Sequence, residues 1–207
     1  ALILTASLTS AAAAVNPAIA DVRISEVLAN PFGSNDGRQK VELLNFGTSS
    51  IDISGWRVSN EFDSLTLPDG TILDAGEVLV VHVASDGTNS DSDIYTGDGW
   101  QMLGASQGSF ALFGPTGSFN DPDAMVDFVE WGAGDQLGEA VAAEAGLWPA
   151  GDFVPLTSEG NSIQLCNRQV TGSGSWLEGH GDTIGGVNNC STQVTPSTWG
   201  KVKNIYR

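Results

Sequence analysis

From Asp21 onward, apolar and polar residues alternate along the chain with a period of two, the spacing of a half-buried β-strand rather than a helix. Val22, Ile24 and Leu28 are interleaved with Arg23, Ser25 and Val27. Val41-Glu42-Leu43-Leu44 and Ile51-Asp52-Ile53 continue in short pieces, and Val78 to Val83 is an almost unbroken apolar run. Phe110 to Phe113, Met125 to Trp131 and Ser162 to Cys166 read as later strands. Turn-forming stretches punctuate them at short intervals: Asn30-Pro31 to Gly37, Gly47 to Ser50, Pro68-Asp69-Gly70, Ala75-Gly76 and Gly114-Pro115 to Gly117. Some eight or nine strands joined by tight turns, with almost no helical periodicity, predict an all-β antiparallel sandwich or barrel.

Four segments depart from this rhythm. Residues 84–100 form a long polar loop, and Gln136 to Ala145 has the Ala and Glu content of a short surface helix. At the start, ALILTASLTSAAAA is uncharged and of signal-peptide length, so residues 1–20 read as a signal-peptide remnant, with an alanine-rich first helix as the alternative. Cleavage fits after Ala14 or after Ala20, and the missing initiator Met and basic leader predict a longer precursor. Bilayer crossing needs ~20 apolar residues, which neither this stretch nor any later one supplies. At the other end, strand patterning stops after Asn188, and residues 191–207 read as a linker and a basic, aromatic tail. The expected organisation is therefore one domain over residues 21–190 between two short appendages.

Composition agrees with the pattern and narrows the chemistry. The 26 glycines, and the 16 Asp among 25 acids, favour turns and loops over helices. Only 8 Lys and Arg oppose those acids, for a net charge of −17, which excludes nucleic-acid binding led by basic patches. The three basic residues of positions 201–207 leave residues 1–200 at −20, so a strongly acidic domain carries a +3 tail. Cys166 and Cys190 are the only cysteines, which in an oxidising compartment predicts one disulfide and argues against a zinc site. Closing that loop contributes ~3 to 4 kcal/mol in the chain-entropy picture.

The order of the strand motifs resembles the lamin tail domain. Ile24-Ser25-Glu26-Val27 before Asn30-Pro31 is similar to the family's opening strand, and Val41-Glu42-Leu43-Leu44-Asn45 to its second. Ile51-Asp52-Ile53-Ser54-Gly55-Trp56 resembles its most recognisable element, a strand that turns through Ser-Gly into a core Trp. Leu67-Pro68-Asp69-Gly70-Thr71 with Leu73 to Val81 matches the next hairpin; Val126 to Trp131 and Gly160 to Leu165 match late strands. The resemblance spans residues 21–190 and implies an immunoglobulin-like sandwich of the exported bacterial kind, without the rod or nuclear-localisation run of a filament lamin. In it Glu26, Gly55, Trp56, Gly70 and Trp131 are structural: the glycines permit turn dihedrals and the tryptophans bury area between sheets. One departure is Gly185-Gly186 before Asn188, with Gly where the family often has Pro, which predicts a looser last turn that the disulfide offsets.

Candidate chemistry is thin. Asp86, Asp91, Asp93 and Asp98 share one loop and are a candidate calcium set, although neither they nor Asn120-Asp121-Pro122-Asp123 with Asp127 have a full calcium-loop spacing, and a solvated acidic loop is the competing reading. No other cofactor is expected. His82 lies in an apolar strand and reads as structural, whereas His180, with Asp182 two residues on, has the makings of an oriented base. No nucleophile elbow, zinc-protease helix or phosphate-gripping loop accompanies it. Asn189-Cys190-Ser191 fits a glycosylation acceptor, but a bonded Cys190 lessens its weight. In the tail, Trp199, Val202 and Ile205 or Tyr206 recur at helical spacing with Lys201, Lys203 and Arg207, predicting a short C-terminal helix. Trp199, Lys201, Lys203, Tyr206 and Arg207 are thus candidates for docking or sorting, and the tail resembles one that ends various exported bacterial proteins; packing on the parent domain is the alternative. The resulting expectation is a secreted or cell-surface, non-catalytic binding or adhesion module, contacting an extracellular protein or polysaccharide through residues 84–100 and 172–183. The alternative is an extracellular hydrolase with an acidic or His180-centred site.

Overall fold

A computed structural model describes residues 21–155, 158–179 and 181–190. The expected signal-peptide remnant, His180 and the 191–207 tail with its helix lie outside the described residues. In chain order the strands are β1 (Val22–Leu28), β2 (Lys40–Asn45), β3 (Ile51–Asp52), β4 (Arg57–Asn60), β5 (Ser64–Thr66), β6 (Ile72–Leu73), β7 (Val78–His82), β8 (Asp93–Tyr95), β9 (Gly108–Phe113) and β10 (Met125–Trp131). The helix α1 (Glu139–Glu144) follows, then β11 (Ile163–Leu165) and β12 (Trp176–Glu178). A six-stranded sheet in the order β12-β11-β1-β2-β7-β8 packs on a four-stranded sheet, β10-β9-β4-β5, with the small pair β3-β6 beside them. The chain is an all-β, immunoglobulin-like sandwich: the patterning predicts a sandwich or barrel, and the resemblance implies the immunoglobulin-like form.

The period-two pattern is what separates the faces of the large sheet. Val27, Val41, Val81 and Ile94 stand directly opposite one another across β1, β2, β7 and β8, and all are buried. Facing them from the other sheet are Phe110, Leu112 and Val129, also without exposure to speak of. Each such side chain contributes ~1.5–3 kcal/mol by leaving water. Trp56 and Trp131 are in the core as expected, and the Trp131 indole N–H donates to the Gly104 carbonyl at 2.9 Å. Gly55 has φ +73, the left-handed turn that delivers Trp56 inward, and Gly70 has φ +81.

Three expectations need correction. Twelve strands are present among the described residues, because pieces as short as Ile72–Leu73 carry no readable alternation. Residues 84–100 are not wholly loop: Asp93–Tyr95 pairs with β7, and in parallel, so the sandwich is not purely antiparallel. The helix is shorter than Gln136–Ala145, and its inner face, with Glu139 and Ala142, is buried against β10 while Ala140 and Glu144 face solvent. The disulfide Cys166–Cys190 is formed, with its Cα atoms 5.3 Å apart.

Where β1 outruns β11, its free edge is completed by a side chain. The Ile24 N–H donates to Asp127 of β10 at 2.8 Å, and Arg23 pairs with the same carboxylate at 2.8 Å. Without this acceptor a buried strand edge would hold an unpaired donor.

Candidate functional site

The outer face of the six-stranded sheet carries two rows of side chains. In the first, Leu28, Lys40, His82 and Tyr95 lie directly opposite one another across four neighbouring strands, one position along from the buried row Val27, Val41, Val81, Ile94. Opposed residues project to the same side. These four form the floor of an open cleft of about 540 Å³, walled by Pro31, Phe32, Gly37 and Arg38 of the β1–β2 loop, by Ser85, and by Gly160 and Asp182.

The floor is held from several directions. His82 Nε2 is 2.7 Å from Asp93 Oδ1, and its ring stacks on Tyr95 at 4.2 Å and 10°. The His82 bond first, and then the Ser92 and Ser90 hydroxyls, hold the Asp93 carboxyl below the usual carboxylate range. Two glycines let backbone close on the aromatic rings: a Cβ on Gly87 would come within 2.4 Å of Tyr95, and one on Gly160 within 2.1 Å of Phe32. Gly33 N–H to Glu159 and Gly160 N–H to Asn30, each 2.8 Å, tie the two walls together. Phe32 is nonetheless 69% exposed at the rim.

The second row is closed over. Glu26 and Glu42 are opposite each other on β1 and β2, flanked by Gln164 and Val80, and both are fully buried. A bulge at Ser25 turns that residue to the same face, where its hydroxyl donates to Glu42 Oε1 at 2.5 Å. Residues 181–190 cross above them as a strap. Glu26 accepts from Ser162 Oγ, Gln164 Nε2, Thr183 N–H and Thr183 Oγ1, and Glu42 from Gly185 N–H at 2.8 Å. Asn188 Nδ2 adds bonds to the Ser25 and Leu165 carbonyls, and Cys190 closes the strap through the disulfide. Burial first of all, then the neighbouring Glu26, raises the Glu42 carboxyl, against the pull of Ser25 and Gly185.

This changes the meaning of Gly185. Its φ of +85 and its N–H to Glu42 are both closed to proline, so the residue that departs from the family pattern anchors the strap instead of loosening it. Beyond the strap a second hollow of about 400 Å³ is lined by Leu44, Phe46, Val78, Leu165 and Val187, with Glu77 its one charged wall residue.

A second glutamate pair lies under α1. Glu130 of β10 is fully buried beside Glu139, whose oxygens accept from Gly151 N–H at 2.7 Å and from Asp135 N–H. Burial, the hydrogen bond to Glu139 and the charge of Glu139 push Glu130 up to about 8. Burial opposes charge on Glu139 too, but the bonds from Gly151, Glu130 and Asp135 outweigh it and hold that carboxyl below its ordinary value. Glu130 is therefore a neutral donor at pH 7 and Glu139 its acceptor. Closed to solvent, the pair offers no route for a substrate.

The aspartates proposed for calcium are not gathered into one cage. Asp86 accepts from the Asp98 N–H at 3.2 Å, while Asp93 is engaged by His82. Among the described residues no group of three or more Asp, Glu, His or Cys side chains is placed to hold a metal ion. Among the same residues no helix is long and apolar enough to cross a membrane. Glu26, expected to be structural, is the main acceptor of the strap. The two expected contact loops do meet at one place, since Ser85, Tyr95 and Asp182 all border the cleft. Reading the sequence missed Phe32, Arg38 and Lys40 there. The available signal was scarcity: two bases close together in a chain so poor in them.

A family model described as Lamin Tail Domain matches residues 16–169. No curated protein matches the chain.

Proposed function

We propose that this chain, which belongs to the lamin tail domain family, is a non-catalytic binding or adhesion module of the cell surface or extracellular space, and that the cleft over Lys40, His82 and Tyr95 is where it binds. An immunoglobulin-like domain of this family is in general a module without chemistry of its own, and binding residues on such a scaffold sit in loops at a rigid edge. The observation that carries the reading is the cleft itself, a pre-formed concavity with solvent-facing cations and aromatic rings. The disulfide supports an oxidising location. The partner is an extracellular protein or polysaccharide.

The test is an array of extracellular polysaccharides and matrix proteins probed with the whole chain and with Lys40→Met and Tyr95→Ala variants. Retention that both substitutions abolish, with no soluble product released from the retained material, supports a non-catalytic cleft. Retention that neither changes, or steady release of cleaved product, overturns it.

A further inference from the structure

Resting on the reading of the cleft as the binding site, the geometry points to a ligand class for it: a carboxylate-bearing sugar residue of an acidic polysaccharide, its acid group on Lys40 and Arg38 and its ring against Phe32.

The argument begins with the inventory of cations. Five of the eight Lys and Arg fall within residues 21–190. Arg23 is committed to Asp127. Arg57 donates to the Gly114 and Thr116 carbonyls and lies over the Phe119 ring at 4.7 Å. Arg168 lies over the Phe46 ring at 4.3 Å. The other two, Arg38 and Lys40, both face the cleft. Arg38 gives one bond, Nη1 to the Phe32 carbonyl at 3.1 Å, which orients the guanidinium and leaves further donors. Lys40 makes no ion pair or hydrogen bond among the described residues. Asp93, two residues before Tyr95 on the same strand, is engaged by His82, Ser90 and Ser92, which leaves Asp182 as the acid in the wall. In a chain of net charge −17, two cations sharing one concavity without a carboxylate bonded to either form a place prepared for an external anion.

Four further observations choose among ligands. The exposed Phe32 ring at the rim is an apolar platform of the kind a pyranose ring covers with its C–H face, which a bare inorganic anion does not use. Small-molecule sites run to roughly 300–1,000 Å³, so about 540 Å³ accommodates one or two sugar units. A densely charged chain such as a nucleic acid would be repelled by the acidic remainder of the domain, whereas a single carboxylate reaches the two cations locally. A peptide is disfavoured by the edge strand beside the cleft. The Asp93 N–H is taken by Ser90 Oγ at 3.1 Å and the Tyr95 N–H by Asn89 Oδ1 at 2.9 Å, so β8 has no donors there for strand addition.

The test is calorimetry on the whole chain with three probes: a galacturonic acid trimer, the neutral galactose trimer and a glutamate tripeptide. The acid trimer is expected to bind at least about tenfold more tightly than either other probe, and to weaken about tenfold in Lys40→Met and in Arg38→Gln and several-fold in Phe32→Ala. Thermal melting confirms that each variant is folded. Equal binding of the neutral trimer, lost in Phe32→Ala, overturns the acid requirement while keeping the cleft as the site. Equal binding of the tripeptide overturns the sugar. Acid-trimer binding that all three substitutions leave unchanged overturns the cleft as well, and absence of binding by both trimers overturns the ligand class.

Discussion

Two pairs of glutamates are buried in this protein, and each is made tolerable by a different means. Glu26 and Glu42, on adjacent strands, are surrounded by donors: two serine hydroxyls, a glutamine, a threonine and two backbone N–H groups of the strap. Glu130 and Glu139 have fewer donors and share a proton between them, with Glu130 raised to about 8. The first solution recruits a distant segment of chain and so ties the C-terminal strap to the sheet. The second recruits a proton, stays local to β10 and α1, and makes this corner of the fold depend on pH. An isolated buried charge would cost far more than either arrangement.

The contrast is most open to attack at Glu26. Glu26→Ala removes the acceptor that Ser162, Gln164 and Thr183 share, and with four hydrogen bonds gone an expected loss of about 3–5 kcal/mol should appear in urea unfolding. Amide exchange at Thr183 and Gly185 should accelerate while exchange in α1 stays as it was. Loss of protection spread evenly over both regions would remove the distinction between them. Next in size, the double variant Cys166→Ala/Cys190→Ala should lose ~3 kcal/mol and free the same strap, with reductant reproducing the effect in the unmodified chain.

The proton-sharing pair is sharpened by pH. Below its ordinary value of 4.5, Glu130 is protonated folded and unfolded; between there and about 8 the unfolded chain gives up the proton and the folded one keeps it. Stability therefore falls as pH rises through this window, and the loss is complete above about 8. Glu42, also raised, acts in the same direction. Glu139, lowered, contributes stability above its ordinary value that is lost as pH falls through the lowered one. Urea midpoints should thus peak in the mildly acidic range, and Glu130→Gln should flatten the decline toward alkaline pH, removing on the order of a few kcal/mol of pH dependence. A decline just as steep in that variant would show the proton to be elsewhere. The smallest effect expected is that of Ser25→Ala, about 1 kcal/mol, since Glu42 keeps the Gly185 N–H.

Legibility in the sequence followed the range of the interaction. The strands with clear alternation, the turns at Gly55 and Gly70, the two core tryptophans and the disulfide could all be read from local spacing or from a count of two cysteines. β8 could not, because a three-residue strand inside an Asp-rich loop owes its existence to pairing with β7. Nor could the inner face of α1 be assigned, since the meeting of Glu139 with Glu130 depends on where the helix docks on β10. At the cleft, His82 was visible as a strand residue, but its meeting with Lys40, Tyr95 and Asp93 was not.

What the sequence determined by itself is which side of each strand faces inward, because side chains alternate and water excludes the apolar set. Val22, Ile24, Val41 and Leu43 are assigned to the core by that rule alone, whereas Val27, which the alternation groups with Arg23 and Ser25, reaches it through the bulge. Only the tertiary structure decided which residues became neighbours across strands. Register is set by long-range pairing, and the bulge at Ser25 shifts it by one residue, bringing Ser25 and Glu26 to the same face. The same periodicity fits many strand orders. The one adopted places Lys40 beside His82 and Tyr95, and brings Glu26 under a strap some 157 residues away along the chain.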